Sequence, residues 1–193
     1  MDWTVVLASQ TGSPFDGRVE TKESLALNTT AAISSFYGDN TNPYGGVDFT
    51  SSVFSVPNNG NAPYWFNANA NDYYALCWHS VEGFSNFGFY EGNGNADGPF
   101  VYTGFRPRML FLKRIDSTGA WHIYDTARNT FNPVDNYQLW NVGQADDIAD
   151  SNDIDFLSNG FKIRNSAAQL NTSGGDYLYG AWGDVPFKYN NTF

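Results

Sequence analysis

Hydrophobic and polar positions alternate in short runs along this chain, and few stretches keep a helical spacing beyond one turn. Met109-Leu110-Phe111-Leu112 is an apolar run ending in Lys113-Arg114, while Trp121-His122-Ile123-Tyr124 and Tyr177-Leu178-Tyr179-Gly180-Ala181-Trp182 alternate or nearly so. Period-two runs of this length predict β-strands with two differently buried faces. Between them stand turn-forming clusters: Asn58-Asn59-Gly60, Asp97-Gly98-Pro99, Ser117-Thr118-Gly119, Ser158-Asn159-Gly160 and Ser173-Gly174-Gly175. Gly and Asn tolerate backbone conformations that other residues resist. Ser158-Asn159-Gly160 predicts a tight turn between Ile154-Asp155-Phe156 and Phe161-Lys162-Ile163. The best helical candidate, Glu20 to Ala26, is short and polar. The pattern predicts an all-β protein.

The pattern also occurs twice. DFTSSVFSV (Asp48 to Val56) and DYYALCWHSV (Asp72 to Val81) return as DFLSNGFKI (Asp155 to Ile163) and DYLYGAWGDV (Asp176 to Val185). Without gaps, Phe49 falls on Phe156, Phe54 on Phe161, Tyr73 on Tyr177 and Trp78 on Trp182. The sequence around Trp3 resembles that around Trp121, and Glu20 to Ala26 corresponds to Val134 to Leu139, which reads equally well as strand. Internal similarity of this kind predicts one supersecondary unit used twice. The expected units are residues 1–87, an incomplete or diverged copy in which nothing matches Gly104 to Arg114, and residues 88–193. Packed face to face they predict a single β-sandwich, of jelly-roll or lectin-like type. In such a sandwich Trp78 and Trp182 are expected in the core. Cys77, whose counterpart is Ala181, is expected at a small buried position. The Gly-rich join from Phe87 to Phe105 carries too many aromatics for a free linker and is expected to be packed.

Composition narrows the function. The 193 residues suffice for one sizeable core. Twenty acidic against ten basic side chains give a net charge of −10, which repels phosphate backbones and argues against nucleic-acid binding. No apolar run approaches the roughly 18 residues of a membrane span. The start, MDWTVVLASQTG, lacks a basic n-region, so export by a signal peptide is not expected. A lone cysteine excludes an intrachain disulfide.

Candidate chemistry is sparse. Glu91, Asn93, Asn95 and Asp97 alternate before Gly98 in loose likeness to a calcium loop, but the same residues make an ordinary Asx-rich turn. Asp146, Asp147, Asp150, Asp153 and Asp155 form an acidic stretch that reads as solvated loop. His79 and Glu82 invite a catalytic pairing, yet they correspond to Gly183 and Pro186, and no nucleophile motif accompanies either histidine. No catalytic residue, metal or cofactor is expected, and the protein is not expected to be an enzyme. Tyr64-Trp65-Phe66 stands out instead, in a loop longer than its counterpart. Loop aromatics stack on sugar faces and anchor interfaces, so Tyr64, Trp65 and Phe66 are the expected binding residues; the structural alternative is that they plug the sandwich edge.

Several of these segments also carry a family likeness. Gly98 to Arg128, Asp153 to Arg164 and Gly174 to Tyr189 resemble a domain of unknown function found in tail-fibre-like and other virion proteins of marine phages. The motifs that carry it are Gly104 to Pro107, Lys113-Arg114, Tyr124 to Arg128, Ser158 to Phe161 and Tyr179 to Lys188. The resemblance implies a structural or receptor-binding protein on the virion surface, in the tail or as capsid decoration. Other virion proteins and a host glycan or receptor are the implied partners. It further implies a homo-oligomer, expected to be a trimer, with no nucleic acid bound and no membrane insertion. A lectin-like carbohydrate-binding module is the alternative reading.

Overall fold

The computed structural model describes residues 4–6, 23–35, 48–49, 52–55, 72–143, 147–148 and 152–184. Strands dominate: β1 (Thr4–Val6), β2 (Glu23–Ala26), β3 (Ser34–Ser35), β4 (Asp48–Phe49), β5 (Phe54–Ser55), β6 (Ser85–Glu91), β7 (Phe100–Tyr102), β8 (Pro107–Arg114) and β9 (Trp121–Asp125). They continue with β10 (Asn136–Leu139), β11 (Asp147–Ile148), β12 (Ile154–Leu157), β13 (Gly160–Ile163) and, after the single-turn helix α1 (Ala168–Asn171), β14 (Asp176–Gly183). All pairings are antiparallel, within a six-stranded sheet β11-β10-β9-β8-β14-β6, a three-stranded sheet β12-β13-β7, a second three-stranded sheet β1-β2-β3 and the hairpin β4-β5. The predicted turn is there: Leu157 faces Gly160, leaving Ser158-Asn159 as a two-residue loop. Glu23–Ala26, within the helical candidate, is strand.

Residues facing each other across antiparallel strands share a sheet face, so register decides what is buried together. Leu110 and Leu112 of β8 face Tyr124 and His122 of β9 and Ala181 and Tyr179 of β14. These side chains are buried against Val101, Ile154, Phe156, Phe161 and Ile163 of the smaller sheet. The architecture is therefore sandwich-like and all-β. Tyrosines fill much of this core: Tyr90 stacks on Tyr177 with ring centroids 5.0 Å apart. Their buried hydroxyls donate to backbone carbonyls, Tyr90 to Leu170, Tyr124 to Asn152 and Tyr177 to Ala168, each at 2.9 Å. Burying a phenol is favourable only when its hydroxyl keeps such a partner.

The opposite face of the large sheet presents Phe89, Phe111, Trp121 and Leu178, which pack against Val5, Leu25, Leu27 and Ile33 from the β1-β2-β3 region. The indole N–H of Trp121 donates to Ala26 O at 3.1 Å, and Ile33 N to Ile115 O at 2.8 Å. Farther along that face Phe87, Phe111 and Trp182 form an aromatic cluster that remains half-buried. The segment joining Phe87 to Phe105 is packed, as its aromatics suggested: it supplies β6, β7 and the buried Tyr90, Val101 and Phe105.

The segment aligned with β14 behaves differently from expectation. Residues 72–80 lie in no strand and are exposed, Trp78 at 53 % and Leu76 at 52 %, and Cys77 is exposed rather than tucked into a core. Trp182 is half-buried instead of fully enclosed. The reason is neighbours: β14 is paired along its length with β8 and β6, whereas no described strand flanks 72–80. Strand side chains are buried by adjacent strands and facing layers, not by their own pattern.

Registers elsewhere correspond closely. Phe49 faces Phe54 as Phe156 faces Phe161. Setting Trp3 on Trp121 aligns Thr4, Val5 and Val6 with His122, Ile123 and Tyr124. Their partners Ala26, Leu25 and Ser24 then match Leu139, Gln138 and Tyr137. On the third strand Ser34 opposite Ser24 matches Asp147 opposite Tyr137.

Candidate functional site: a polar cleft at one end of the sheets

The ends of β7, β9, β12 and β14 and the start of β8 come together at one end of the molecule. Thr103 N and Gly104 N both donate to Asn159 O, tying the end of β7 to the β12–β13 turn. Gly104 makes this reversal at φ +84, a conformation that side chains resist. The chain then enters β8 through Arg106, Pro107 and Arg108, beside the segment leaving β9, where Thr126 N donates to Arg108 O at 3.0 Å. Asn132 locks the next loop down with a reciprocal pair to Phe156, both at 3.0 Å.

Here a cleft of about 380 Å³ opens, lined by Arg106, Pro107, Arg108, Thr126, Thr130 and Asp184. Arg108 is its fixed centre, with Nη1 2.9 Å from Asp184 and Nε 3.6 Å from Asp125. Asp125 is itself positioned by Ala127 N, which donates to Oδ1 at 2.7 Å. Arg106 is exposed and carries no ion pair among the described residues. Arginine donors, aspartate acceptors and threonine hydroxyls thus converge on one concavity. Two exposed aromatics flank its approaches in the chain: Phe131, next to Thr130 and 81 % exposed, and Tyr102, 66 % exposed, which precedes the turn into Arg106. Tyr102 and Phe100 stand on the outer face of the small sheet opposite Gly160 and Lys162. The Phe100 ring packs over Gly160, which is buried: a β-carbon there would fall 2.1 Å from Val101 O and 2.9 Å from that ring.

The other candidates resolve as follows. Tyr64, Trp65 and Phe66 lie outside the described residues. His79 and Glu82 are both exposed, and no hydrogen bond or ion pair joins them. His122 is buried beside Tyr137, and burial holds its imidazole down at a pKa of about 4, so it is neutral. In the Glu91–Asp97 loop, Asn93 Oδ1 accepts from Asn95 N and Asn95 Oδ1 from Asp97 N, the geometry of successive Asx turns. Asp97 faces Lys162 at 2.7 Å and Arg164 at 3.6 Å, and its carboxyl is held below the usual range first by the hydrogen bond from Lys162. No group of three or more metal-ligating side chains occurs among the described residues. No helix among them is long and apolar enough to cross a membrane.

The cleft residues escaped the sequence reading because they lie far apart in the chain: 76 positions separate Arg108 from Asp184. The available signal was that two segments of the family resemblance, Gly104 to Pro107 and Tyr124 to Arg128, enter neighbouring strand ends.

Fold and site together define a sandwich-like all-β domain with a polar cleft at one end. The chain belongs to the family described as Domain of unknown function (DUF7483), which it matches over residues 3–186. No curated protein and no solved structure matches it.

Proposed function

We propose that the protein is a binding module on a virion surface, tail-fibre-like or receptor-binding, which holds a host glycan in the cleft around Arg108. The observation that carries this reading is the convergence of donors and acceptors in one shallow concavity whose neighbours in the chain are the exposed Tyr102 and Phe131. Sugar hydroxyls need donors and acceptors together, and the apolar face of a pyranose ring suits an aromatic surface. Binding rather than hydrolysis is favoured because Asp184, the carboxylate that lines the cleft, and Asp125, which lies behind it in the chain beside Thr126, both engage Arg108. The virion setting is supported by the resemblance of residues 98–128, 153–164 and 174–189 to a domain of unknown function found in phage virion proteins. The fold is read as lectin-like and built from two related units, 1–87 and 88–193, with β6 running across the join; the matched registers of β1-β2-β3 with β9-β10-β11, and of β4-β5 with β12-β13, support that relation.

The test is display of labelled protein on immobilised polysaccharides and on whole bacterial cells. The wild type is expected to bind a subset of surfaces. A Tyr102→Ala/Phe131→Ala variant is expected to lose that binding with an unchanged melting temperature, since both side chains are largely in solvent. Retained binding in the variant places recognition elsewhere, the Tyr64–Phe66 loop first.

A further inference from the structure

Arg106 and Arg108 flank Pro107 where the chain enters β8, and all three line the cleft. Proline fixes its own φ and pushes the residue before it into extended backbone. Side chains two positions apart in extended backbone leave on the same side. Pro107 is buried and faces Gly183 of β14, so the spacing of the two arginines is built into the fold. Their commitments differ. Arg108 holds Asp184 at 2.9 Å and Asp125 at 3.6 Å. Arg106 is exposed and, among the described residues, has neither an ion pair nor a side-chain hydrogen bond. Asp184, the one carboxylate among the lining residues, is thus already taken by Arg108. The chain sets a guanidinium in a concavity and supplies no acid to it.

We propose that the cleft selects acidic sugars: the carboxylate of a hexuronic acid residue pairs with Arg106, while its ring hydroxyls meet Thr126, Thr130 and Asp184. This selectivity rests on glycan binding in the cleft and narrows it to one class of glycan. Charge favours a single carboxylate. Arg106 and Arg108 balance Asp184 and Asp125, on a protein whose formal net charge is −10. Such a surface does not draw anions from a distance, so recognition has to come from contact. A planar carboxylate matches the guanidinium fork through two parallel hydrogen bonds. A phosphate dianion brings a second charge, which Asp184, its side chain 75 % exposed in the same cleft, opposes. The sugar ring has a place as well. A β-carbon on Gly104 would lie 3.7 Å from the Tyr102 hydroxyl and 3.9 Å from its ring, so this exposed ring lies along the reversal that leads into Arg106. Thr126 Oγ1 donates to Arg108 O at 3.3 Å and keeps its acceptor lone pairs.

The experiment measures binding of the full chain to immobilised alginate, polygalacturonate and hyaluronan, each beside its carboxyl-reduced form. Dextran sulfate and polyglutamate serve as anions of other chemistry. The wild type is expected to bind at least one acid form roughly tenfold or more tighter than its reduced partner. Dextran sulfate and polyglutamate are expected to bind no better than the reduced forms. Arg106→Gln is expected to bring the ratio of acid to reduced affinity down to about one at an unchanged melting temperature, since the side chain is in solvent. Arg164→Gln removes the same charge at the far end of β13 and is expected to preserve the ratio. Equal affinity for acid and reduced forms overturns the selectivity and leaves glycan binding standing. So does a ratio that survives in Arg106→Gln, or equal retention on dextran sulfate or polyglutamate, which shows charge alone to be recognised. Failure to bind every acid form overturns it too; binding to neutral polysaccharides in the wider display then still upholds the glycan cleft, and its absence there ends both.

Discussion

His122 and Lys113 occupy opposite faces of the six-stranded sheet, and both are ionisable side chains placed where charge is unfavourable. His122 is 2 % exposed, its Nδ1 3.2 Å from Ala120 O, and its pKa is lowered to about 4 chiefly by burial. Between pH 4 and 6.5 the unfolded chain binds the proton and the folded chain does not. Stability from this group is thus complete above pH 6.5 and is lost as pH falls to 4, by at most about 3 kcal/mol. Urea midpoints of wild type and His122→Gln are expected to converge on acidification through that window; parallel curves would show the histidine to be uninvolved. Lys113 has the same logic at higher pH. It is enclosed, its ammonium donates to Arg114 O, and burial lowers its pKa to about 8. Folding therefore carries a cost that is relieved as pH rises from 8 towards the unfolded value. Lys113→Met is expected to raise the melting temperature at pH 7, with the gain shrinking above pH 8; destabilisation at every pH contradicts this. In the sequence Lys113 reads as the charged end of a strand. Its burial was not legible there, because it follows from register: Lys113 lies opposite Trp121 and Leu178, under the layer that carries Leu25.

At the scale of elements, local pattern was a reliable guide wherever turn and strand agreed. The Ser158-Asn159 turn, strand β14 and the packed aromatic segment from Phe87 to Phe105 all form as the chain suggests, because each is specified within a few residues. Residues 72–80 share the pattern of β14 without its burial, since that requires flanking strands that local sequence does not encode. The Glu91–Asp97 loop shows a third case, in which a distant residue decides. Asn171, fully buried, accepts from Asn93 N at 2.7 Å and donates to Asn93 Oδ1, Asn95 O and Asn165 O. Asn171→Ala removes four hydrogen bonds, the one to Asn165 O fully buried, and is expected to cost about 2–4 kcal/mol in a urea titration; a loss under about 1 kcal/mol would mean that water replaces the clamp. Because the loop's Asn oxygens are occupied by backbone amides and Asp97 by two cations, calcium is expected to leave the melting temperature unchanged. A rise with calcium would reassign the loop as a cation site.

For the whole molecule, the cleft is a product of topology. Antiparallel pairing of β8 with β9 and with β14 brings Arg106 and Arg108 beside Thr126 and Thr130 on one side and Asp184 on the other. A fixed arginine between two aspartates, with a second arginine free to reach a ligand, is a preorganised arrangement, and preorganisation lowers the cost of binding. The aromatic trio Tyr64, Trp65 and Phe66 offers the rival location. The most direct measurement is calorimetric titration of wild type, Arg106→Ala and Trp65→Ala with an oligosaccharide chosen from the polysaccharide display. The account predicts that Arg106→Ala weakens Kd by roughly tenfold or more, about 1.4 kcal/mol, at an unchanged melting temperature, while Trp65→Ala binds like wild type. Undiminished binding by Arg106→Ala together with loss in Trp65→Ala would contradict it and move recognition to the loop around Trp65.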